Sequence, residues 1–157
     1  MPDNSALLDE ICGMLVDCDL FNHLPSFEIR SVARYFNVVR TMKGETIFRE
    51  GDTGNFMCIV HEGTVSVRKA NQSGQKVEMA SLPKGRAFGE MAVLDNERRS
   101  ATCVAASDCV LLTLSKDALD KMLEDAPRAG AKILRAIAVS LSRRLRIAVG
   151  KLVDYAV

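Results

Sequence analysis

The strongest constraint on the fold is a rhythm of glycines. Between Val38 and Leu114, short runs rich in β-branched residues are cut by Gly44, Gly51, Gly54, Gly63, Gly74 and Gly85. The runs Val38–Met42, Thr46–Arg49, Phe56–His61, Thr64–Lys69, Lys76–Leu82, Ala101–Ala105 and Cys109–Leu114 read as strands. Turns this closely spaced leave no room for the long crossovers that parallel strands need, so neighbouring strands must run antiparallel. The spacing therefore predicts a mainly β fold with flanking helices (α+β), an antiparallel β-barrel or double-sheet jelly roll. Val65 and Val67, with Met57 and Val60, suggest period-two strands with one buried face. Asn71-Gln72-Ser73-Gly74 reads as a hairpin tip without chemistry.

Helices bracket this region. Over residues 5–16, Leu7, Leu8, Ile11, Met14 and Leu15 recur at helical spacing behind Ser5 as N-cap. A second helix follows Pro25, with Ser26 as N-cap and Phe27, Ile29, Val32, Ala33 and Phe36 inward. Ser115 caps a short helix through Leu123 that Pro127 stops. Beyond it, Leu134, Ala138, Leu141, Leu145, Ala148, Leu152 and Tyr155 alternate by four and three, a heptad seam whose alanines allow close helix approach. Such a seam serves either packing on the chain's own strands or pairing with a second helix. The organisation is thus an N-terminal helical segment (1–36), a β core (37–115) and a C-terminal hinge with a long helix (116–157), one domain with an appended helix.

Composition excludes several function classes. A net charge of +1 predicts no special attraction to nucleic acid. The basic cluster Arg143, Arg144, Arg146 and Lys151 reads as a solvated helix face, good for weak, salt-sensitive contact at most. Five cysteines form no Cys-x-x-Cys pair and cannot all pair internally, so they read as buried, reduced thiols. His23 and His61 have no metal-ligand spacing, and no metal site is expected. No Ser/His/Asp or Cys/His set stands out, and the chain is not expected to be an enzyme. No apolar run reaches the roughly 18 residues a membrane span requires. An acidic start with Asp3, Asp9 and Glu10 is unlike a signal peptide. The expectation is a soluble, cytoplasmic protein without a membrane partner.

The functional signal lies in Phe88-Gly89-Glu90-Met91-Ala92-Val93-Leu94, a short polar turn, and Arg98-Arg99-Ser100-Ala101-Thr102. A glycine feeds one helical turn, whose free N–H groups favour an anion, and Gly89 lets that anion approach the backbone. A carboxylate beside an anion site makes sense when it accepts a hydrogen bond from a ligand hydroxyl, as acidic residues do with ribose. An arginine on the next strand can clamp a phosphate with parallel charge-assisted bonds. Phosphate plus sugar hydroxyl points to a nucleotide. The same residues also fit a turn with a solvated acid and a surface basic pair, and spacing alone leaves both readings open.

The Phe-Gly-Glu-Met-Ala opening and the Arg-Ser-Ala-Thr close, together spanning 88–105, closely resemble the phosphate-binding cassette of cyclic nucleotide-binding domains. This is the family of the bacterial catabolite activator and the regulatory subunits of protein kinase A. Leu20-Phe21-Asn22-His23-Leu24, Gly44-Glu45-x-Ile47-Phe48-x-x-Gly51-Asp52 and Glu62-Gly63-x-Val65 resemble further signatures of the family, extending the likeness over about 20–150. The resemblance implies a ligand-binding set of Phe88, Gly89, Glu90, Met91, Ala92, Arg99, Ser100 and Ala101. In it, Glu90 accepts the ribose 2′-hydroxyl and Arg99 pairs with the cyclic phosphate. Backbone N–H groups near Ala92 and Ser100, with the Ser100 hydroxyl, complete the cradle. Arg98 stands where the family often has proline and is assigned to solvent; His23 reads as a surface or capping residue.

In the catabolite activator a threonine–serine pair on the long helix reads adenine. Anchored on Ser142-Arg143-Arg144-Leu145, those positions fall on Ala148 and Val149, which cannot hydrogen-bond a purine. The base would then meet apolar contact from Ala148 and a stacked guanidinium from Arg144 or Arg146. Cyclic AMP is the expected ligand, with cyclic GMP the alternative and no other cofactor. The resemblance also implies a parallel homodimer through the long helix. The competing readings are a transcription regulator whose helix-turn-helix domain is missing from a chain that stops at Val157, and a ligand-free structural dimer.

Overall fold

The computed structural model describes residues 4–155, with side chains through 152. Asp3 and the side chain of Tyr155 lie outside the described residues. Helix α1 (Asn4–Val16) and helix α2 (Ser26–Ala33) precede strands β1 (Asn37–Thr41), β2 (Thr46–Phe48), β3 (Phe56–Glu62), β4 (Val65–Ala70), β5 (Lys76–Leu82) and β6 (Ala87–Phe88). The one-turn helix α3 (Met91–Leu94), strands β7 (Thr102–Ala105) and β8 (Cys109–Ser115), and helices α4 (Lys116–Asp125) and α5 (Pro127–Tyr155) follow. The strands form two four-stranded sheets, ordered β1-β8-β3-β6 and β2-β7-β4-β5, with antiparallel pairing throughout. This is the double-sheet form of the expected architecture. The expected strands all occur, with ends moved by a residue or so, and β6 is an addition.

Two hydrophobic clusters place everything else. One fills the space between the sheets: Phe48, Cys58, Val60, Val65, Phe88, Cys103 and Leu111. The other seats the helices on the opposite face of the first sheet, where Met57, Ile59, Leu112 and Leu114 meet Leu15, Phe21, Val32, Met122, Ile133 and Ile137. Strand β3 is therefore buried on both faces, Met57 and Ile59 toward helices, Cys58 and Val60 toward the other sheet. The one-sided burial expected for Met57 and Val60 does not hold on β3; on β4, Val65 and Val67 share the inter-sheet cluster, but Ser66 between them is buried on the other face as well.

Helix α2 buries Ile29, Val32 and Ala33, while Phe27 is 73% exposed, contrary to the inward position expected of it. At 100° per residue, Phe27 points about 200° away from Ile29. Glu28 takes part of the buried face instead. The cap residue is Pro25, with no side-chain cap, so Ser26 is the first helical residue rather than the N-cap. Ser5 likewise lies inside α1, which is already helical at Asn4. Ser115 does cap α4, its hydroxyl accepting the Ala118 N–H at 3.0 Å. Pro127 opens α5 at the position where its missing N–H breaks no helical bond.

Along α5 the buried stripe is Ala129, Ile133, Ala136 and Ile137. Of the heptad seam, Leu134 and Leu141 pack partly on the chain's own core, and Ala138, Leu145, Ala148 and Leu152 stay exposed. Four cysteines are buried and Cys12 is half-buried, all as free thiols. Among the described residues no helix is long and apolar enough to cross a membrane, and no cluster of metal-ligating side chains forms.

Candidate functional site

The cassette runs from β6 of the first sheet through α3 to β7 of the second. Gly89 adopts φ +74, a left-handed conformation open to glycine and strained for other residues. A Cβ there would fall 2.6 Å from Arg99 Nη1 and 3.4 Å from the Phe48 ring. Gly54 meets the same limit, since a Cβ on it would come 2.7 Å from Arg99 Nε and 2.9 Å from Ala92 Cβ. Both glycines make room for one side chain, Arg99.

Arg99 is 6% exposed. Its backbone is pinned by two bonds: its N–H donates to Asp52 O at 2.8 Å, and its carbonyl accepts the Gly51 N–H at 2.8 Å. Its guanidinium lies 3.8 Å from the centroid of the Phe48 ring and 4.6 Å from that of Phe56. Nη2 donates to Phe56 O at 2.6 Å and Nη1 to Gly89 O at 3.3 Å. No carboxylate forms an ion pair with it among the described residues. Burial pushes the guanidinium's pKa down, with the thiols of Cys58 and Cys103 and the carboxylate of Asp52 pulling the other way. The counterpart is that burial drives the Cys58 and Cys103 thiols up to about 12.

Glu90 is 2% exposed and sits at the start of α3. Its Oε1 accepts from Arg144 Nη2, which reaches over from α5 and also donates to Ala87 O at 3.0 Å. Burial lowers the pKa of Arg144, and repulsion from Arg86 adds to this. Helix α3 has only four residues, too few for a substantial dipole, and its Ala92 N–H is turned onto Gly89 O at 3.2 Å. The end of α3 is therefore a weak electrostatic feature, and the buried cation of this region is Arg99.

These groups border a cavity of about 430 Å³, within the range of small-molecule sites. All eight cassette residues expected to bind ligand line it: Phe88, Gly89, Glu90, Met91, Ala92, Arg99, Ser100 and Ala101. Phe88 and Ala92 form its buried floor, Met91 is half exposed, and Ser100 lies at the rim. Val67, Ala80 and Leu82 add an apolar wall from the second sheet.

The family model for the cyclic nucleotide-binding domain matches residues 38–126, more than half of the chain. The chain belongs to the cyclic nucleotide-binding domain family. It is 33% identical over 127 residues to the cyclic AMP receptor protein of Thermus thermophilus, covering 81% of this chain and 57% of that protein. With the cAMP-dependent protein kinase regulatory subunit of Mycosarcoma maydis it shares 30% identity over 132 residues, 84% of this chain and 24% of the relative. Among solved structures, a cyclic nucleotide-binding domain from Methylobacillus flagellatus superposes with a TM-score of 0.82 at 26% identity, covering 97% of this chain and 85% of that one. The chain thus spans little more than half, or a quarter, of these curated relatives.

Within this cyclic nucleotide-binding domain, Arg144 lines the cavity, whereas Ala148 and Arg146 do not. Arg98 is exposed, as expected, but also lines the cavity mouth and donates to Gly51 O at 3.0 Å. His23 is on the surface. Residues that the sequence reading left out are Gly54, Phe48, Arg86 and the wall of Val67, Ala80 and Leu82. Alternation along β4 was the available signal for Val67. For Arg86, two residues before Phe88, proximity to the cassette was the only hint.

Proposed function

We propose that the domain is a cyclic AMP sensor without enzymatic activity, which couples occupancy of the cavity to α5. The observation carrying this reading is Arg99: a buried guanidinium, framed by glycines and aromatic rings, with no carboxylate partner among the described residues. A buried charge left without a counter-ion is costly, and an anionic ligand supplies the missing partner. The cyclic phosphate takes the open side of the fork, with the Ser100 hydroxyl at the rim. Glu90 accepts the ribose 2′-hydroxyl, and the purine lies along Val67, Ala80 and Leu82.

Coupling runs through Arg144. The same guanidinium holds Glu90 and the Ala87 carbonyl, so a ligand that engages Glu90 changes what anchors α5. The ligand shifts the helix only to the extent that it prefers one of its positions. Exposed Leu145, Ala148 and Leu152 would then carry the signal to the α5 of a second copy in a homodimer. Five free thiols fit a reducing, cytoplasmic setting.

The test is calorimetric titration with cyclic AMP, cyclic GMP and 2′-deoxy cyclic AMP. Cyclic AMP should bind at a dissociation constant near or below about 1 μM, the scale of −8 kcal/mol. Loss of the hydroxyl bond to charged Glu90 should weaken the deoxy analogue by about 1.5–3 kcal/mol. Absence of saturable heat with either cyclic nucleotide, or equal affinity for the deoxy analogue, would overturn this assignment.

A further inference from the structure

A second cleft lies behind the cyclic nucleotide cavity. It has a volume of about 750 Å³ and runs between α5, the segment 19–23 and the turn 85–87. Arg86, Ala87 and Arg144 line both spaces, so the two share a wall. On the α5 side, Lys132, Arg135, Val139, Arg143 and Ile147 recur at steps of three and four, with Ser140 beside them, and form one face of the helix.

The charge on this wall is lopsided. Lys132 is paired with Glu28 at 2.8 Å, and Arg144 with Glu90. Arg86, Arg135 and Arg143 have no acidic partner among the described residues, and Asp19 is the one carboxylate lining the cleft. A solvated basic helix would spread its charge to water, as Arg146 and Lys151 do outside the cleft. Here a residue from the β5–β6 turn and two from α5, more than forty positions away, line one concavity that also presents Leu20, Val139 and Ile147. Arginines lining one cleft beside an apolar wall suit an anion with an organic body.

We propose that this cleft is a second ligand site, for a small organic phosphate of two or more negative charges, and that its occupant draws Arg144 away from Glu90. Freed of Arg144, the Glu90 carboxylate becomes available to a ribose hydroxyl, so the organic phosphate and the cyclic nucleotide assist one another. By linkage the assistance is reciprocal. The site rests on the cleft alone; the coupling rests also on the cyclic nucleotide reading above.

The test uses the full chain, metal-free ATP and inorganic pyrophosphate as probes, and calorimetry at low salt. ATP should bind with a dissociation constant on the order of 0.1 mM, weakened by salt, and pyrophosphate about tenfold more weakly for want of apolar contact. The double variant Arg135→Ala/Arg143→Ala, which touches only exposed cleft residues, should lose about tenfold or more in ATP affinity while binding cyclic AMP alone as before. Arg99→Ala should keep ATP binding and lose cyclic AMP. In the unmodified protein, saturating ATP should tighten cyclic AMP roughly threefold or more, and Arg144→Ala should abolish that gain.

No ATP binding, ATP binding insensitive to the double variant, or ATP binding destroyed by Arg99→Ala would overturn the second site. The last of these would place ATP in the cyclic nucleotide cavity. Equal affinity for pyrophosphate would overturn the organic character of the ligand. ATP binding in a protein that ignores cyclic AMP would leave this site standing and remove the cyclic nucleotide reading instead.

Discussion

Replacing Arg99 by alanine should separate affinity from stability. In the ligand-free protein, Arg99 contributes two charge-assisted bonds to carbonyl oxygens, of about 1.5–3 kcal/mol each, and its ring contacts with Phe48 and Phe56 add about 0.5–2 kcal/mol each. Against these stands the desolvation of a guanidinium that has no ion-paired carboxylate among the described residues, several kcal/mol by the usual measure of buried charges. The opposing contributions nearly cancel, so Arg99→Ala should change unfolding free energy by no more than about 2 kcal/mol in either direction. A cyclic phosphate has no such compensation. Removing its buried partner should cost about 2–5 kcal/mol of binding, a loss of roughly 30- to 4,000-fold. Arg99→Lys keeps the charge without the planar fork and should fall between the two.

Calorimetry with cyclic AMP and urea denaturation of the same preparations read both quantities. A cyclic AMP affinity in Arg99→Ala within about threefold of the unmodified protein would refute the assignment. So would a loss of affinity that tracks a comparable loss of folding stability, for Arg99 would then be a structural rivet between Phe48, Phe56 and Gly89. The intermediate behaviour of Arg99→Lys guards against mistaking a general loss of positive potential for loss of the fork.

Gly89→Ala should both strain a backbone at φ +74 and press a methyl group against Arg99; a destabilisation of about 1–2 kcal/mol in urea melts with a larger drop in cyclic AMP affinity is expected. The Cys58 and Cys103 thiols are held at about 12 against an ordinary 9.0, so the folded state keeps protons that the unfolded state releases. Their contribution is complete below pH 9 and declines as pH rises toward 12, by about 1.4 kcal/mol per pH unit for each thiol, which urea melts at alkaline pH should show and a Cys58→Ala/Cys103→Ala variant should lack. Lys132→Ala should strand the Glu28 carboxylate, 5% exposed and with Oε2 already lacking a partner among the described residues, at a cost of about 3 kcal/mol in unfolding free energy; adding Glu28→Gln should restore part of it in a double-mutant cycle.

The cassette was legible because its chemistry is local. Gly89, Glu90, Ala92 and Arg99 sit within a dozen positions, and each residue type answers a backbone or charge requirement that sequence displays directly: a positive φ, an acceptor, a close approach, a fork. The strand pattern was legible for the same reason, since turn residues act on their own backbone. What escaped was whatever depends on which face another element covers. Met57 and Val60 look alike in a strand of apolar residues, and only the helices docked on one sheet show that they face opposite ways. Phe27 is expected inward with Ile29, Val32 and Ala33, yet the stripe through those three turns it to solvent and draws Glu28 inward to Lys132, 104 residues on. The pairing of Glu90 with Arg144 spans 54 residues and leaves no periodic trace. That contact also changes the meaning of the hydroxyl-free stretch at Ala148 and Val149. If α5 engages the site through Arg144 at the sugar end, the helix can report occupancy without a hydrogen bond to the base. Its response should then depend on Glu90 and the ribose hydroxyl more than on the identity of the purine.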